Sequence, residues 1–385
     1  MQIQLKKQDP YFKFELLYQS KKSRARVGRI HTPHGIIDTP NFVAVGTNGS
    51  LKALSNVEVN TMGLQLMFCN TYHLLLQPGT EIVKQAGGLH TFIHRNQPLI
   101  TDSGGFQVFS LAYGGVASEL KSAGNKKTDG SVLKITEEGV TFRSYRDGAK
   151  IFLTPESSVL AQKNLGADII IPLDELPPYH VDPKQLKKSL DRTHRWEKRS
   201  LDTHLNNLNQ QAMYAVVHGG VDLSLRTLSA NLLSNLSFDG FAIGGSLGKN
   251  KPELVEVVQH TVPLLPPEKP NHLLGIGDLE SIAQCVPLGI DTFDSSYPTK
   301  AARHGVLFTE NEGKIKITKT SYANDFERIE AGCPCSTCEN YSKAYLNHLF
   351  KAHEPTALTL ASIHNIAFMI RLMAKYRTQI LEGVI

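Results

Sequence analysis

The sequence predicts a (β/α)8 TIM barrel, an α/β fold in which eight parallel strands alternate with helices. Short runs that are apolar throughout recur along the chain, each followed by a helical pattern, and strands buried on both faces are typical of parallel sheets covered by helices. The runs PLIT, DIIIPL, YAVV, GFAI, HLL and IDTF end at or just before Asp102, Asp174, His218, Gly244, Gly275 and Asp294. Such residues fit the C-terminal face of a barrel, where barrel enzymes have their active sites. A doubly wound open sheet is the alternative, because one sequence does not give the strand order.

Two further β regions are predicted. Residues 1–45 alternate short apolar and polar runs between Gly and Pro, which indicates an N-terminal antiparallel β unit. Residues 128–153 indicate a β-meander insertion, because the turn triplets TDG, EEG and RDG separate SVLKI, VTFRSY and KIFL. The clearest helix begins with Asp182 as N-cap and Pro183 as first helical residue. We interpret its many Lys and Arg side chains as a solvated face, with a nucleic-acid contact surface as the alternative.

Composition excludes several classes of protein. The 385 residues are 41% hydrophobic and 20% charged, which is ordinary for globular proteins and excludes disorder. The net charge of +5 and the pI of about 8.8 are compatible with a polyanionic partner but do not require one. We find no run of about 18 apolar residues and no signal peptide at the N-terminus. We therefore predict a cytoplasmic protein that acts as one catalytic domain over residues 1–385, with no membrane partner.

Three of the five cysteines indicate a metal site near the C-terminus. They lie within six residues and are Cys333, Cys335 and Cys338. Three thiolates and one imidazole complete tetrahedral Zn²⁺ with no open position, which is typical of structural sites. The spacing leaves His348, His353 and His364 as candidates for the fourth ligand. Cys69 and Cys285 stand in apolar surroundings and are predicted to be buried. We expect one structural Zn²⁺ per subunit in a subdomain over residues 325–370.

Three aspartates at the ends of apolar runs indicate a catalytic site: Asp102, Asp174 and Asp294. On a barrel's catalytic face, a carboxylate can act as nucleophile, as acid/base or as a reader of the substrate. Gly104 and Gly105 let the backbone approach a ligand closely, and Phe106 adds an aromatic plane. One aspartate of this kind is equally well explained as a helix N-cap, but three favour a site.

The chain resembles the bacterial-type tRNA-guanine transglycosylases, also called queuine tRNA-ribosyltransferases, from about residue 11 to its C-terminus. The motifs are TDSGGFQVFS, NTYHLLLQPG, HGG, DGFAIGG, LLGIG, FDSSYPTKAARHG, CPCSTC and HNIAF. The resemblance implies a barrel with a zinc subdomain, assembled as a homodimer. It also implies replacement of guanine at wobble position 34 of tRNAs with GUN anticodons (Asp, Asn, His, Tyr). The incoming 7-deazaguanine base is queuine or its precursor 7-aminomethyl-7-deazaguanine, and the product leads to queuosine.

The resemblance also assigns residues. Asp294 would be the nucleophile that attacks C1′ of the ribose, and Asp102 the general acid/base. The implied substrate-binding residues are Asp102, Ser103, Gly104, Gly105, Phe106, Asp174, His218 and Gly245. The implied RNA-binding residues are Gly275, Ile276, Gly277, Asp278, Leu279, Glu280, Ser281, Thr299, Lys300, Ala301, Ala302 and Arg303. His364 matches the fourth zinc ligand. Retaining exchange at a glycosidic carbon needs two carboxyl groups, and the target base must leave the stack.

Four features depart from the family pattern. Leu176 stands in place of Cys or Val, Leu274 in place of Met, and His218 in place of a Gln, although His218 can still donate one N–H. The loop Ser246–Asn250 has no acid, where the family has a Glu that recognises the precursor's cationic arm. In an ungapped match Gly248 replaces a Val and leaves room, as in the eukaryotic enzymes that insert queuine. We hypothesise that queuine is accepted, with the precursor as the alternative.

Two other functions are weighed. A non-catalytic, zinc-containing tRNA-binding subunit would lack catalytic residues, whereas Asp102 and Asp294 are both present. An archaeal-type D-loop transglycosylase would carry further C-terminal RNA-binding domains, whereas this chain ends about 20 residues after His364. Both arguments favour exchange at the wobble position.

Overall fold

The computed structural model describes residues 11–112 and 132–385. In these residues the strands are β1 (Lys13–Gln19), β2 (Arg26–Thr32), β3 (Gly35–Thr39), β4 (Asn41–Val45), β5 (Met67–Cys69), β6 (Leu99–Thr101), β7 (Val132–Ile135), β8 (Val140–Arg143), β9 (Lys150–Leu153), β10 (Ile169–Ile170), β11 (Ala212–Val217), β12 (Gly240–Ile243), β13 (Asn271–Leu273), β14 (Thr292–Ser295), β15 (Val306–Thr309) and β16 (Gly313–Lys316). The helices are α1 (Asn56–Thr61), α2 (Thr71–Leu76), α3 (Thr80–Gln85), α4 (Leu89–Phe92), α5 (Gly105–Ala112), α6 (Pro155–Leu165), α7 (Pro183–Asn206), α8 (Leu223–Ser234), α9 (Lys251–Thr261), α10 (Leu279–Cys285), α11 (Tyr297–Arg303), α12 (Ser336–Asn340), α13 (Lys343–Lys351) and α14 (Thr356–Leu381).

Eight strands form a closed parallel barrel. Its order around the barrel is β4, β5, β6, β10, β11, β12, β13 and β14, and β14 pairs with β4 to close it. The closure confirms the predicted fold and excludes the open sheet. Because all eight strands run in the same direction, the segments that follow them meet at one end of the barrel.

The N-terminal antiparallel sheet is shorter than predicted. It comprises β1, β2 and β3, whereas β4 belongs to the barrel, so the boundary at residue 45 is wrong. The reason is visible in the burial of β4, whose first four residues are buried on both faces as in a parallel barrel strand. Ile30 and Ile37 of the sheet pack into one cluster with Val43, Ile100 and Tyr214 of the barrel strands. Residues 1–10 of the predicted unit lie outside the described residues.

The predicted β-meander is present between β6 and β10 as β7, β8 and β9, which pair antiparallel in that order. Residues 128–131 of the prediction lie outside the described residues. The meander contacts α7, where Trp196 Nε1 donates to the Glu137 carbonyl at 2.7 Å. Helix α7 begins as predicted, because Asp182 Oδ1 accepts from the Lys184 N–H at 2.9 Å.

Helix α14 is a core helix of the fold. Within the described residues it is the one helix long and apolar enough to cross a membrane, and 61% of its most apolar 18-residue window is buried inside the structure. It packs against α11, β15 and β4. Asn365 of α14 donates to the carbonyls of Pro298 and Val306 at 3.0 and 2.9 Å, which ties the segment around α11 to this helix.

Candidate active site

A cavity of about 400 Å³ opens at the C-terminal end of the barrel strands. The three predicted aspartates, Asp102, Asp174 and Asp294, all line it. Phe106 also lines it and keeps 47% of its surface exposed. These residues are far apart in sequence and meet because the barrel brings its strand ends together. The cavity therefore combines several carboxylates with an aromatic face.

Asp102 follows β6 and is held by three N–H donors. Its Oδ1 accepts from the Thr71 backbone at 2.7 Å, and its Oδ2 accepts from Asn70 Nδ2 and Gln107 Nε2, both at 2.8 Å. Burial disfavours the charged form and raises the pKa of Asp102 to about 6, against the opposing effect of the three donors. A carboxyl group with a pKa near neutrality can both give and take a proton.

Asp174 is bound on both sides. His218 Nε2 donates to its Oδ2 at 2.8 Å, and Ser103 Oγ donates to its Oδ1 at 3.3 Å. A Cβ at Gly105 would lie 2.8 Å from the Asp174 carbonyl oxygen, so only glycine fits there. The predicted residues Ser103, Gly105, Asp174 and His218 thus form one contact network. His218 is expected to donate one N–H to the substrate base, but in this structure its Nε2 N–H donates to Asp174.

Asp294 lies within β14 and accepts two hydrogen bonds at the same oxygen. The Gly275 N–H donates to Oδ1 at 2.7 Å, and His272 Nε2 donates to Oδ1 at 3.1 Å. Thr292 Oγ1 lies 2.8 Å from Nδ1 of the fully buried His272 and fixes the ring. In residues 11–112 and 132–385 no donor binds Oδ2, so this oxygen of Asp294 is available for chemistry.

The loop after β12 has no room for a side chain at Gly245 and is held in place by the side chain of Arg226. A Cβ at Gly245, whose φ is +74°, would lie 2.7 Å from Nδ1 of His218. The fully buried Arg226 donates to the carbonyls of Val217, Gly244 and Ser246 at 2.6, 2.9 and 3.0 Å. Its guanidinium therefore fixes the positions of two neighbouring strand-end loops.

The loop Ser246–Asn250 contains no acid, but an acid from the following helix packs against it. Glu253 of α9 accepts from the Lys249 N–H at 2.9 Å and from Tyr179 Oη at 3.2 Å. A Cβ at Gly248 would lie 2.5 Å from Glu253 Cβ, so Glu253 fills the space that Gly248 leaves. Neither Gly248 nor Glu253 lines the cavity. Helix α9 begins directly after the loop, and its first turn directs the Glu253 side chain back against the loop.

The two predicted RNA-binding segments are partly buried. Lys300 is exposed and Arg303 is half-buried on α11, while Asp278 forms an ion pair with Lys251. Five of the predicted residues are buried in the fold: Gly277, Ser281, Thr299, Ala301 and Ala302.

The candidate metal site is assembled as predicted by four buried residues: Cys333, Cys335, Cys338 and His364. The three Sγ atoms lie 3.9, 3.7 and 3.3 Å from His364 Nδ1. A tetrahedral Zn²⁺ would separate such ligand atoms by about 3.6 Å. His364 Nε2 donates to the Phe308 carbonyl at 2.7 Å, which leaves Nδ1 to bind metal. The geometry therefore fits zinc, and neither His348 nor His353 belongs to the cluster.

Several contacts at this site escape the sequence analysis. His272 and Arg226 hold Asp294 and the loops described above but lie in none of the motifs. Asn70 and Gln107 do lie inside the motifs NTYHLLLQPG and TDSGGFQVFS, which is the one available signal.

The chain is similar to known proteins over nearly its whole length. A family model described as Queuine tRNA-ribosyltransferase matches residues 20–385. The chain is 69% identical over 375 residues to a queuine tRNA-ribosyltransferase of Protochlamydia amoebophila (strain UWE25), which covers 97% of each chain. It is 59% identical over 371 residues to one of Chlamydia muridarum (strain MoPn / Nigg), covering 96% of this chain and 98% of the relative. The chain belongs to the queuine tRNA-ribosyltransferase family, whose members are tRNA-guanine transglycosylases.

Proposed function

We propose that this enzyme exchanges guanine at wobble position 34 of GUN-anticodon tRNAs for a 7-deazaguanine base. The observation that carries the proposal is the single cavity lined by Asp102, Asp174 and Asp294 beside the exposed ring of Phe106. A base that has left its stack can lie on that ring, and Asp174 can accept from the N1 and N2 hydrogens of guanine. Lys300 and Arg303 supply positive charge for the RNA backbone.

The exchange is a double displacement. Asp294 attacks C1′ of the ribose, the bond from C1′ to guanine breaks, and protonated Asp102 gives its proton to the departing base. The incoming base then loses its N9 proton to Asp102 and attacks C1′, which breaks the bond to Asp294 and regenerates both carboxyl groups. Two inversions at C1′ retain the configuration.

The first half-reaction is expected to slow as the pH rises. Only protonated Asp102 can donate to guanine, and burial raises its pKa to about 6 in the substrate-free enzyme. The second-order rate constant for covalent adduct formation should therefore fall about tenfold per pH unit above pH 6. Rapid quenching of enzyme mixed with tRNA in the absence of an incoming base measures this constant.

Asp102→Asn is the matched control, because it cannot donate a carboxyl proton at any pH. Its residual adduct formation should be slower by about 10²–10⁴-fold and should lose the pH dependence above pH 6. A wild-type rate constant that stays level between about pH 5 and pH 8 would contradict the role of Asp102.

The incoming base is proposed to be queuine, with 7-aminomethyl-7-deazaguanine as the second candidate. The three carboxylates that line the cavity all have other proposed roles in the exchange. Glu253 lies outside the cavity lining, accepts a hydrogen bond from Tyr179 and forms an ion pair with Lys249. The precursor's primary ammonium would lie beside Leu176 and Leu274 without a dedicated acid, which is costly for an unpaired charge. Queuine carries the same positive charge on a secondary amine, but its cyclopentenediol ring adds apolar surface and hydroxyl groups whose contacts with the cavity offset that cost.

A base-chase experiment tests both the exchange and the base. A GUN-anticodon tRNA is loaded with labelled guanine by the enzyme and chased separately with queuine and with the precursor, and the inserted nucleoside is identified by mass spectrometry. We expect queuine to release the label with a kcat/KM at least about tenfold higher, equivalent to about 1.4 kcal/mol. Faster release by the precursor would overturn the base assignment, and failure of the label to enter the tRNA would overturn the exchange function.

Zinc is the metal that we propose for the Cys₃His cluster. It would complete a closed tetrahedral site on Cys333, Cys335, Cys338 and His364, which leaves no open position for substrate. None of the four residues lines the cavity. Zinc would therefore hold α12 to α14, and through Asn365 it would stabilise the segment that carries Lys300 and Arg303.

A further inference from the structure

A second cluster of metal-binding side chains lies at the opposite end of the barrel from the cavity. His34 is in the turn between β2 and β3, His90 is on α4, and Asp168 immediately precedes β10. Asp174 follows the same strand, so the two aspartates lie on opposite faces of the barrel. The cluster therefore takes no part in the proposed base exchange.

The three side chains converge on one carboxylate. His34 Nδ1 lies 2.7 Å from Asp168 Oδ1, and His90 Nε2 lies 3.1 Å from Asp168 Oδ2. The imidazole rings stack with their centroids 3.5 Å apart. One ligand atom from each residue lies within 4.8 Å of the others.

We propose that His34, His90 and Asp168 bind a divalent late transition metal ion, such as Ni²⁺ or Zn²⁺. Two imidazoles and one carboxylate form a donor set that such ions favour, with the remaining positions open to water. With metal–ligand distances of about 2.1 Å, the two measured N–O separations would subtend about 80° and 95° at the ion, near the right angles of five- and six-coordinate geometry.

The carboxylate is already fixed in place. Asp168 is 2% exposed, and its Oδ2 also accepts from the Leu99 N–H at 2.8 Å. Its Oδ1 also accepts from the His34 N–H at 3.3 Å. The buried guanidinium of Arg95 donates instead to Asn60 and Leu64, so it does not occupy the carboxylate. Contacts of this kind orient a metal ligand before the ion arrives.

An ion can reach the site from solvent, because the His34 side chain is 39% exposed. Both hydrogen bonds from the imidazoles to Asp168 would be replaced by bonds to the ion. The bond to Asp168 raises the pKa of His34, so the ion must displace a proton and is best added at about pH 8.

A bound ion would join the N-terminal sheet, α4 and a barrel strand, and would stabilise the folded chain because the unfolded chain lacks the site.

The test counts nickel on tag-free protein whose Cys₃His site has been filled with Zn²⁺. After dialysis against micromolar Ni²⁺ and removal of excess ion, elemental analysis should give one nickel per chain, with zinc unchanged. Ni²⁺ should also raise the Tm of the wild type. His34→Ala and His90→Gln should retain no nickel and show no rise in Tm.

His31→Ala is the matched control, since His31 lies on β2 of the same hairpin and pairs with Glu15 outside the cluster. It should retain one nickel like the wild type. The proposal is overturned if the wild type retains no nickel, or if His34→Ala retains as much as the wild type. Because His34 is exposed, His34→Ala should fold, and a cooperative thermal unfolding transition without metal verifies this.

Discussion

Asp294→Asn is expected to fold and to bind tRNA but to form no covalent adduct, with guanine exchange reduced by about 10⁴-fold or more, as for other nucleophiles that act within a catalytic unit. An amide cannot form the ester bond to C1′ in the way that a carboxylate does. The amide oxygen can still accept from the Gly275 N–H and from His272 Nε2, so the local structure should be retained. Denaturing gel electrophoresis after incubation with tRNA measures the adduct, and thermal unfolding measures the fold.

Asp222→Asn is a suitable control for that experiment. Asp222 caps α8 by accepting from the Ser224 and Leu225 N–H groups, and asparagine caps helices equally well. This variant should form the adduct at the wild-type rate. A covalent band on the gel with Asp294→Asn would remove Asp294 from the role of nucleophile.

Removal of zinc should unfold the C-terminal subdomain and abolish tRNA binding at the concentrations where the zinc-loaded protein binds. Binding of structural zinc contributes roughly 10–16 kcal/mol in zinc-finger peptides, which is comparable with the net stability of about 5–15 kcal/mol of a whole domain. We expect Cys338→Ser to contain less than one zinc per chain and to lower Tm by at least about 10 °C. Elemental analysis, thermal unfolding and a tRNA-binding titration measure these three effects.

Cys285→Ala controls for the loss of a buried thiol, since Cys285 is fully buried on α10 but lies outside the cluster. It should keep one zinc and its affinity for tRNA. Wild-type protein that contains no metal before any chelation, or a Cys338→Ser variant that binds tRNA with wild-type affinity, would contradict the structural role of zinc.

Much of the fold follows from short-range patterns. Strands β11 and β12 are buried throughout, and this burial is what makes their sequences apolar at every position. Asp182 and Pro183 mark the start of α7 through a local hydrogen bond, which the sequence alone predicts. Four of the five residues of β4 are apolar, Asn41 being the exception, but its position directly after an antiparallel hairpin caused it to be assigned to the wrong sheet.

The support of the site depends on long-range contacts, whose partners cannot be identified from residue type and local spacing. His272 reaches Asp294 across 22 residues, and Asn70 reaches Asp102 across 32. Glu253 follows the loop that it packs against, yet its direction is decided by the way α9 starts. His34 and Asp168 are 134 residues apart and meet only because the N-terminal sheet packs against the end of the barrel.

The sequence by itself determined the alternation of buried strands with helices, the three strand-end aspartates and the cluster of three cysteines, because each depends on residue type and near-neighbour spacing. The closure of the barrel and the choice of His364 over His348 and His353 were decided by the tertiary structure. The tertiary structure alone decided which oxygen of Asp294 is left without a donor, how burial shifts the proton affinity of Asp102, and that Glu253 occupies the space beside Gly248. It also decided that two histidines share Asp168. These properties depend on desolvation and on distances between atoms of remote segments, which only the folded chain defines.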